Sequence, residues 1–169
     1  ETFGASNIVA SASLAKYISD AIDLGGTVKV IYDQIDNSSA TAAILDLGLI
    51  HHPVNDRIKV GVSLRNIGFQ LTTYSDTAGR EKLPFTMAAG ITYLFNPRLM
   101  ASFDVSKATG ENILAKAGVE YELTPAFDLR GGFRTNASDG YNGGTFAFLS
   151  GLSLGAGWKW NKYRIDYGV

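Results

Sequence analysis

The segment Leu114–Arg134 constrains the fold more than any other part of the chain. It runs L-A-K-A-G-V-E-Y-E-L, then T-P, then A-F-D-L-R-G-G-F-R. In both halves apolar and charged residues alternate with the period of two that belongs to a strand. Only Thr124 and Pro125 separate the halves, which is a hairpin connection. Lys116, Glu120 and Glu122 fall on one face of the first strand. Asp128, Arg130 and Arg134 fall on one face of the second. The opposite faces carry Ala117, Val119, Tyr121 and Leu123, then Phe127, Leu129 and Phe133. One face suits an apolar phase. The other is too charged for a dry core, yet its charges can pair across strands. This pattern points to the wall of a transmembrane β-barrel.

Composition leaves that reading open and closes others. A chain of 169 residues is a single domain, 1–169, or part of one. Its mean hydropathy is +0.04, and no run of apolar residues is long enough for a membrane-spanning helix. A barrel needs no such run, because inward polar residues dilute the hydropathy of each strand. Fifteen basic residues against sixteen acidic ones, without a basic cluster, give no nucleic-acid face. The absence of cysteine excludes disulfide and thiolate-metal frameworks. No signal peptide is visible and the chain starts at Glu1, so a processed or trimmed chain is expected.

The period-two pattern predicts strands over 5–17, 24–35, 40–52, 57–66, 85–95, 98–107, 112–123, 126–135, 145–160 and 162–169. Ala10–Ile22 has the composition of a helix, but Ile8, Ala10, Ala12 and Leu14 keep period two and no cap opens the segment. Most of these strands have about 9 to 12 residues, the length that crosses a bilayer at a tilt. Short connections are expected at Ser19–Asp23, Pro53–Asp56, Asn96–Pro97, Thr124–Pro125 and Asn161–Lys162. Longer or more polar ones are expected at Asp36–Ser39, Asn66–Pro84, Lys107–Glu111 and Asn136–Gly144. The two kinds alternate, so an up-and-down order puts the short turns at one end and the long loops at the other. Outer-membrane barrels have that arrangement. Aromatics gather at both ends: Tyr17, Tyr93, Phe95, Tyr121, Phe127, Trp158, Trp160 and Tyr163 near short turns, and Tyr32, Phe85, Phe133, Phe146 and Tyr167 opposite.

Period two also assigns faces. Val28, Val30, Ile58, Val60, Val62, Leu64, Met87, Ile91, Leu99, Phe103, Val105, Val119, Leu129 and Ile165 are expected to face lipid. Lys29, Asp46, Lys59, Arg65, Asp104, Lys116, Glu120, Glu122, Asp128, Arg130, Arg134, Lys159, Arg164 and Asp166 are expected to face the lumen. An Arg or Lys on the lipid face near the midplane would cost about 2–4 kcal/mol, and the alternation avoids it.

Little in the chain points to catalysis, so a non-enzyme without cofactor or metal is expected. His51 and His52 are adjacent, point to opposite sides of a strand, and make a poor metal site. Gly151-Leu-Ser153-Leu-Gly155 spells G-x-S-x-G, but it lies in a strand pattern with no helix to follow, so it makes no nucleophile elbow, and there is no P-loop. Gly151-Leu-Ser-Leu-Gly-Ala-Gly157 lies in a strand pattern, which suits close packing and not phosphate binding.

Several motifs resemble the PorV/PorQ family of outer-membrane proteins. They are Asp46-Leu-Gly48, Asn66-Ile-Gly68, Leu83-Pro84 through Gly90 and Tyr93, Gly118-Val-Glu-Tyr121, and Leu129-Arg-Gly-Gly132. Gly155-Ala-Gly-Trp-Lys-Trp160 and Tyr163-Arg-Ile-Asp-Tyr167 resemble the family's penultimate strands. The resemblance implies a FadL-like barrel of fourteen strands, of which about ten are visible here. It implies a role in transport of apolar molecules or in type IX secretion, with outer-membrane lipid and envelope proteins as partners. A closing strand, amino-terminal strands and a lumenal plug are missing from the pattern. A larger parent chain, or closure by another chain, is therefore expected, because open edges are not tolerated in lipid. The long loop offers Tyr74, Arg80, Glu81 and Lys82 as candidate partner contacts. The alternative is a structural or adhesive extracellular β-protein whose edges pair with neighbouring copies.

Overall fold

The computed structural model describes residues 4–53, 57–74, 79–80, 82–135 and 150–169. Ten strands follow in chain order: β1 (Ala5–Ser19), β2 (Ile22–Ile35), β3 (Ser38–His51), β4 (Ile58–Thr72), β5 (Thr86–Asn96), β6 (Leu99–Ala108), β7 (Leu114–Thr124), β8 (Phe127–Arg134), β9 (Leu152–Trp160) and β10 (Tyr163–Gly168). Each pairs antiparallel with its successor in one sheet ordered β1 to β10. The all-β, up-and-down architecture read from the sequence is thus the fold. The sheet is not closed, since β1 and β10 each pair on one side only. The helix-like composition of Ala10–Ile22 yields to its period-two pattern, and Ala10 and Ala12 lie opposite Val30 and Val28.

Register sorts the charged and the apolar residues onto opposite faces of the sheet. Glu120 is opposite Arg130 and Lys116 opposite Arg134. Asp104 is opposite Lys116 in turn. Val62 meets Leu49 on one side and Ala89 on the other. The two faces differ in burial. The buried side chains Ala40, Ala42, Ile44, Gln70, Ser106 and Asp128 all belong to the polar face, whereas Val28, Met87, Phe103 and Leu154 on the apolar face are exposed. A single sheet buries side chains on the face toward which it curves. The charged face is therefore concave and inner, and the apolar face convex and outer.

Two boundaries differ from the expected ones. β4 runs six residues past Asn66, to Thr72. Asn66 does not end the strand; it forms a bulge. The register steps from Leu45–Ile67 to Leu47–Leu64, so Asp46 faces both Arg65 and Asn66. Asn66 takes a left-handed backbone with φ 59°, a conformation that asparagine tolerates better than most residues. Its N–H donates to Asp46 Oδ1 at 2.8 Å, and its side-chain amide donates to the Pro84 carbonyl at 3.1 Å. The Asp46-Leu-Gly and Asn66-Ile-Gly motifs are thus two halves of one contact. The second difference is the β2–β3 connection. It is a tight turn at Asp36 and Asn37, so loop length does not alternate there. β9 starts at Leu152, and residues 145–149 of its expected span lie outside the described residues.

Beyond the bulge the backbones come close. A Cβ added to Gly68 would collide with the Ala43 carbonyl and sit 2.9 Å from Ile44 Cα. A Cβ on Gly48 would meet nothing nearer than 3.9 Å. Gly68→Ala should therefore destabilise the protein by about 2 kcal/mol, as overpacking against fixed backbone does. Gly48→Ala should stay within about 0.5 kcal/mol. Urea unfolding of the full-length protein in lipid vesicles checks this, and equal costs at the two positions would refute the bulge geometry.

Candidate functional site

The inner face is the candidate site, and its side chains fall into two regions. The first is a charge network at the β7–β10 side. Asp128 is 1% exposed at its centre. Its Oδ2 accepts from Arg130 and from Arg164, and its Oδ1 lies 3.3 Å from Lys159 Nζ. Arg130 also donates to Glu120 at 2.6 Å and to Asp166 at 2.7 Å. Arg164 Nε donates to Asp166 at 3.0 Å, and Lys159 reaches Glu122 at 3.4 Å. Seven ionised groups from four strands are thereby joined.

Glycine makes the network possible. Gly157 is opposite Asp128 on one side and Asp166 on the other. A Cβ there would lie 2.6 Å from the Asp128 carboxylate and 2.7 Å from that of Asp166. Gly151-Leu-Ser-Leu-Gly-Ala-Gly157, set aside from phosphate chemistry on sequence, ends in the clearance that this cluster needs.

The second region, under β1–β6, mixes small residues with the charges Asp46, Lys59, Arg65 and Asp104. A depression of about 850 Å³ is lined by Ser13, Gly25, Gly48, Gly61, Ser63 and Gly90 among others. Small residues on successive strands leave space where an ordinary sheet would carry a core. Lys29 and Asp46 pair at its edge. Near the short-turn end, His52 Nε2 lies 2.7 Å from Asp23 Oδ2, and His51 Nδ1 lies 3.0 Å from the Ala21 carbonyl. The two histidines fasten the turn separately, and no group of three potential metal ligands occurs among the described residues.

Of the fourteen charges assigned to one face in the sequence, Glu120, Glu122, Asp128, Arg130, Lys159, Arg164 and Asp166 come together, and Asp46 pairs with Lys29. Lys59, Arg65, Asp104, Lys116 and Arg134 share the inner face but enter no ion pair among the described residues. Tyr74 turns inward, and its hydroxyl donates to the Asp33 carboxylate at 2.5 Å. Tyr74 follows β4 and Asp33 lies on β2, so the tyrosine bridges β3 where Ala40 and Ala42 leave room. Arg80 and Lys82 are exposed, and Glu81 lies outside the described residues. Sequence reasoning missed the role of Asp33, although it keeps period two with Lys29 and Ile31.

The outer face carries aromatic rims. Trp158 stacks with Phe127 at 6.2 Å and with Trp160 at 6.3 Å near the short turns, and Tyr93 meets Phe95 edge-on at 4.7 Å. Tyr32, Phe133 and Tyr167 are exposed toward the other end. Phe146 lies outside the described residues.

No family model matches the chain, and neither does any curated protein. Among solved structures, the chain is similar to the crystal structure of the Ralstonia pickettii toluene transporter TbuX. The TM-score is 0.64 at 14% identity, over 97% of this chain and 62% of the transporter. The chain thus spans less than two thirds of that protein, and at this identity the likeness is one of fold.

The network gives unequal weight to two inner-face aspartates. Asp128→Asn leaves Lys159 and Arg164 short of a buried counter-charge and should cost about 2–3 kcal/mol, somewhat less than a fully buried pair because its partners are part exposed. Asp104→Asn should change stability by less than about 0.5 kcal/mol. Comparing denaturation midpoints of the two variants tests this ranking, and an Asp104 effect as large as that of Asp128 would contradict it.

Proposed function

We propose that this chain is the wall of an outer-membrane β-barrel through which apolar molecules pass. The observation that carries the proposal is the division of the sheet into two faces. Across ten antiparallel strands, the outer face is apolar with aromatic rims, and the inner face is polar, charged or bare. A lipid-facing wall needs the first, and a conduit the second. The resemblance in fold to a toluene transporter supports the reading. The open edges of β1 and β10 require partners in lipid, because unpaired backbone groups are not tolerated there. Further strands, from the same polypeptide or another copy, supply them in this reading.

No catalytic step is assigned. A PorV/PorQ-type membership, with a part in type IX secretion, is a finer proposal that rests on the sequence motifs. The Asp46–Asn66 contact gives two of those motifs a shared structural purpose, but that purpose is local folding. The open edges favour a second reading, a surface protein assembling edge to edge with its own copies.

The full-length protein should stay in the detergent-requiring membrane fraction and run as a heat-modifiable band. Cells producing it should take up toluene faster than cells without it. Recovery as a detergent-free soluble monomer would sink the barrel, and equal uptake would sink the transport role. Ordered filaments forming without lipid would favour the second reading.

A further inference from the structure

On the inner face, the charges nearest the loop end of β7 and β8 break the pairing rule that their neighbours obey. Lys116 and Arg134 are directly opposite each other, with Cβ atoms about 5 Å apart for such a pair. Like charges in that position repel. Both are exposed, and neither has an ion-pair or hydrogen-bond partner among the described residues. One step along the strands, Gly118 is opposite Gly132, so the floor beside the two cations is bare. Hydroxyls flank that floor. A Cβ on Gly118 would lie 3.2 Å from Ser102 Oγ, and one on Gly132 would lie 2.7 Å from Ser153 Oγ. Neither hydroxyl has a side-chain hydrogen bond among the described residues. Ser102, Gly118, Gly132 and Ser153 form a single row across β6 to β9.

Structural economy does not explain this arrangement. Among the described residues, the carboxylates at neighbouring register positions are those of Glu120 and Asp104. Glu120 is committed to Arg130 at 2.6 Å. Asp104 is opposite Lys116 but forms no ion pair with it. Two repelling cations, a glycine floor and two hydroxyls without a side-chain partner among the described residues match the donor set that an oxyanion needs, charge-assisted bonds together with hydroxyl donors. We propose that Lys116, Arg134, Ser102 and Ser153 form an oxyanion-binding site at the loop end of the inner face, suited to a phosphate group. Bound anion offsets the repulsion between the cations, and arginine supplies a planar two-pronged donor beside the point charge of lysine. Asp104 borders the site and opposes binding by its charge. The site needs only the inner-face geometry. Its failure would leave the transport reading standing, and the failure of transport would leave the site standing.

Calorimetric titration of inorganic phosphate into the full-length protein in nonionic detergent tests the proposal. The wild type should bind saturably. Lys116→Gln and Arg134→Gln should each weaken binding at least about fivefold, the loss expected for one charge-assisted contact. Asp104→Asn should tighten binding, because it removes an adjacent like charge while keeping the side chain's shape. A merely structural role for the cations would not produce that gain. Retention of the heat-modifiable band shows that each variant is folded, and removing either cation relieves repulsion. Absence of saturable binding by the wild type would overturn the site. So would losses below fivefold in both cation variants, or unchanged or weaker binding on Asp104→Asn.

Discussion

The antiparallel ladder is the constraint on which everything else in this protein depends. Side chains alternate with period two, so a strand's register decides which residues lie on the outer face and which on the inner one. A slip of one residue would exchange the faces of a whole strand. β4 shows how the chain manages this. Without the extra residue at Asn66, Phe69 would point inward and Gln70 outward. The bulge restores the phase, leaving Phe69 59% exposed on the outer face and Gln70 buried on the inner one. Asp46 fixes the bulge by accepting the Asn66 N–H, and Lys29 balances the charge of Asp46. Glycine at position 68 then permits the close approach of the backbones.

The inner face is divided between order and space. At β7–β10 the charges are pooled around Asp128, whose burial would be costly without three cations beside it. At β1–β6 small residues withdraw side-chain volume. A fully packed interior would be a plug, and an interior with no fixed groups would leave a thin wall unsupported. The network ties β7, β8, β9 and β10 together on one side, where the other side has small residues beside scattered charges.

The strands, their order and their faces were legible in the sequence because period two is a local signal that repeats ten times. The pairing of charges was legible only in outline. Position on a strand says that Glu120 and Arg130 share a face, and the hairpin turn says that they are neighbours. That Arg164, thirty-six residues along the chain from Asp128, would also reach its carboxylate depends on β9 carrying glycine between them. Loop boundaries were less legible, for a physical reason. Asn66 and Gly68 have turn-forming chemistry, and a bulge uses the same left-handed conformations as a turn. Asp36 and Asn37 show the converse, since polar residues there suggested a longer loop where a tight turn suffices. Tyr74 belongs to the long loop that offers candidate partner contacts, and its hydroxyl donates to Asp33 on β2, a contact between residues 41 apart that no local pattern reveals.

The open edges bear on how the two-faced sheet can exist in lipid. Side-chain alternation removes charges from the lipid face, but it does nothing for backbone groups at the ends of the sheet. A hydrogen-bonding group left unpaired in an apolar phase costs several kcal/mol, and β1 alone runs for 15 residues along one edge. Half of its outward-going groups would already outweigh the net stability of an ordinary domain. An apolar outer face and two free edges are therefore compatible with a bilayer only if the edges are covered. In a bilayer, partners that continue the ladder would be the form of cover that also continues the apolar surface.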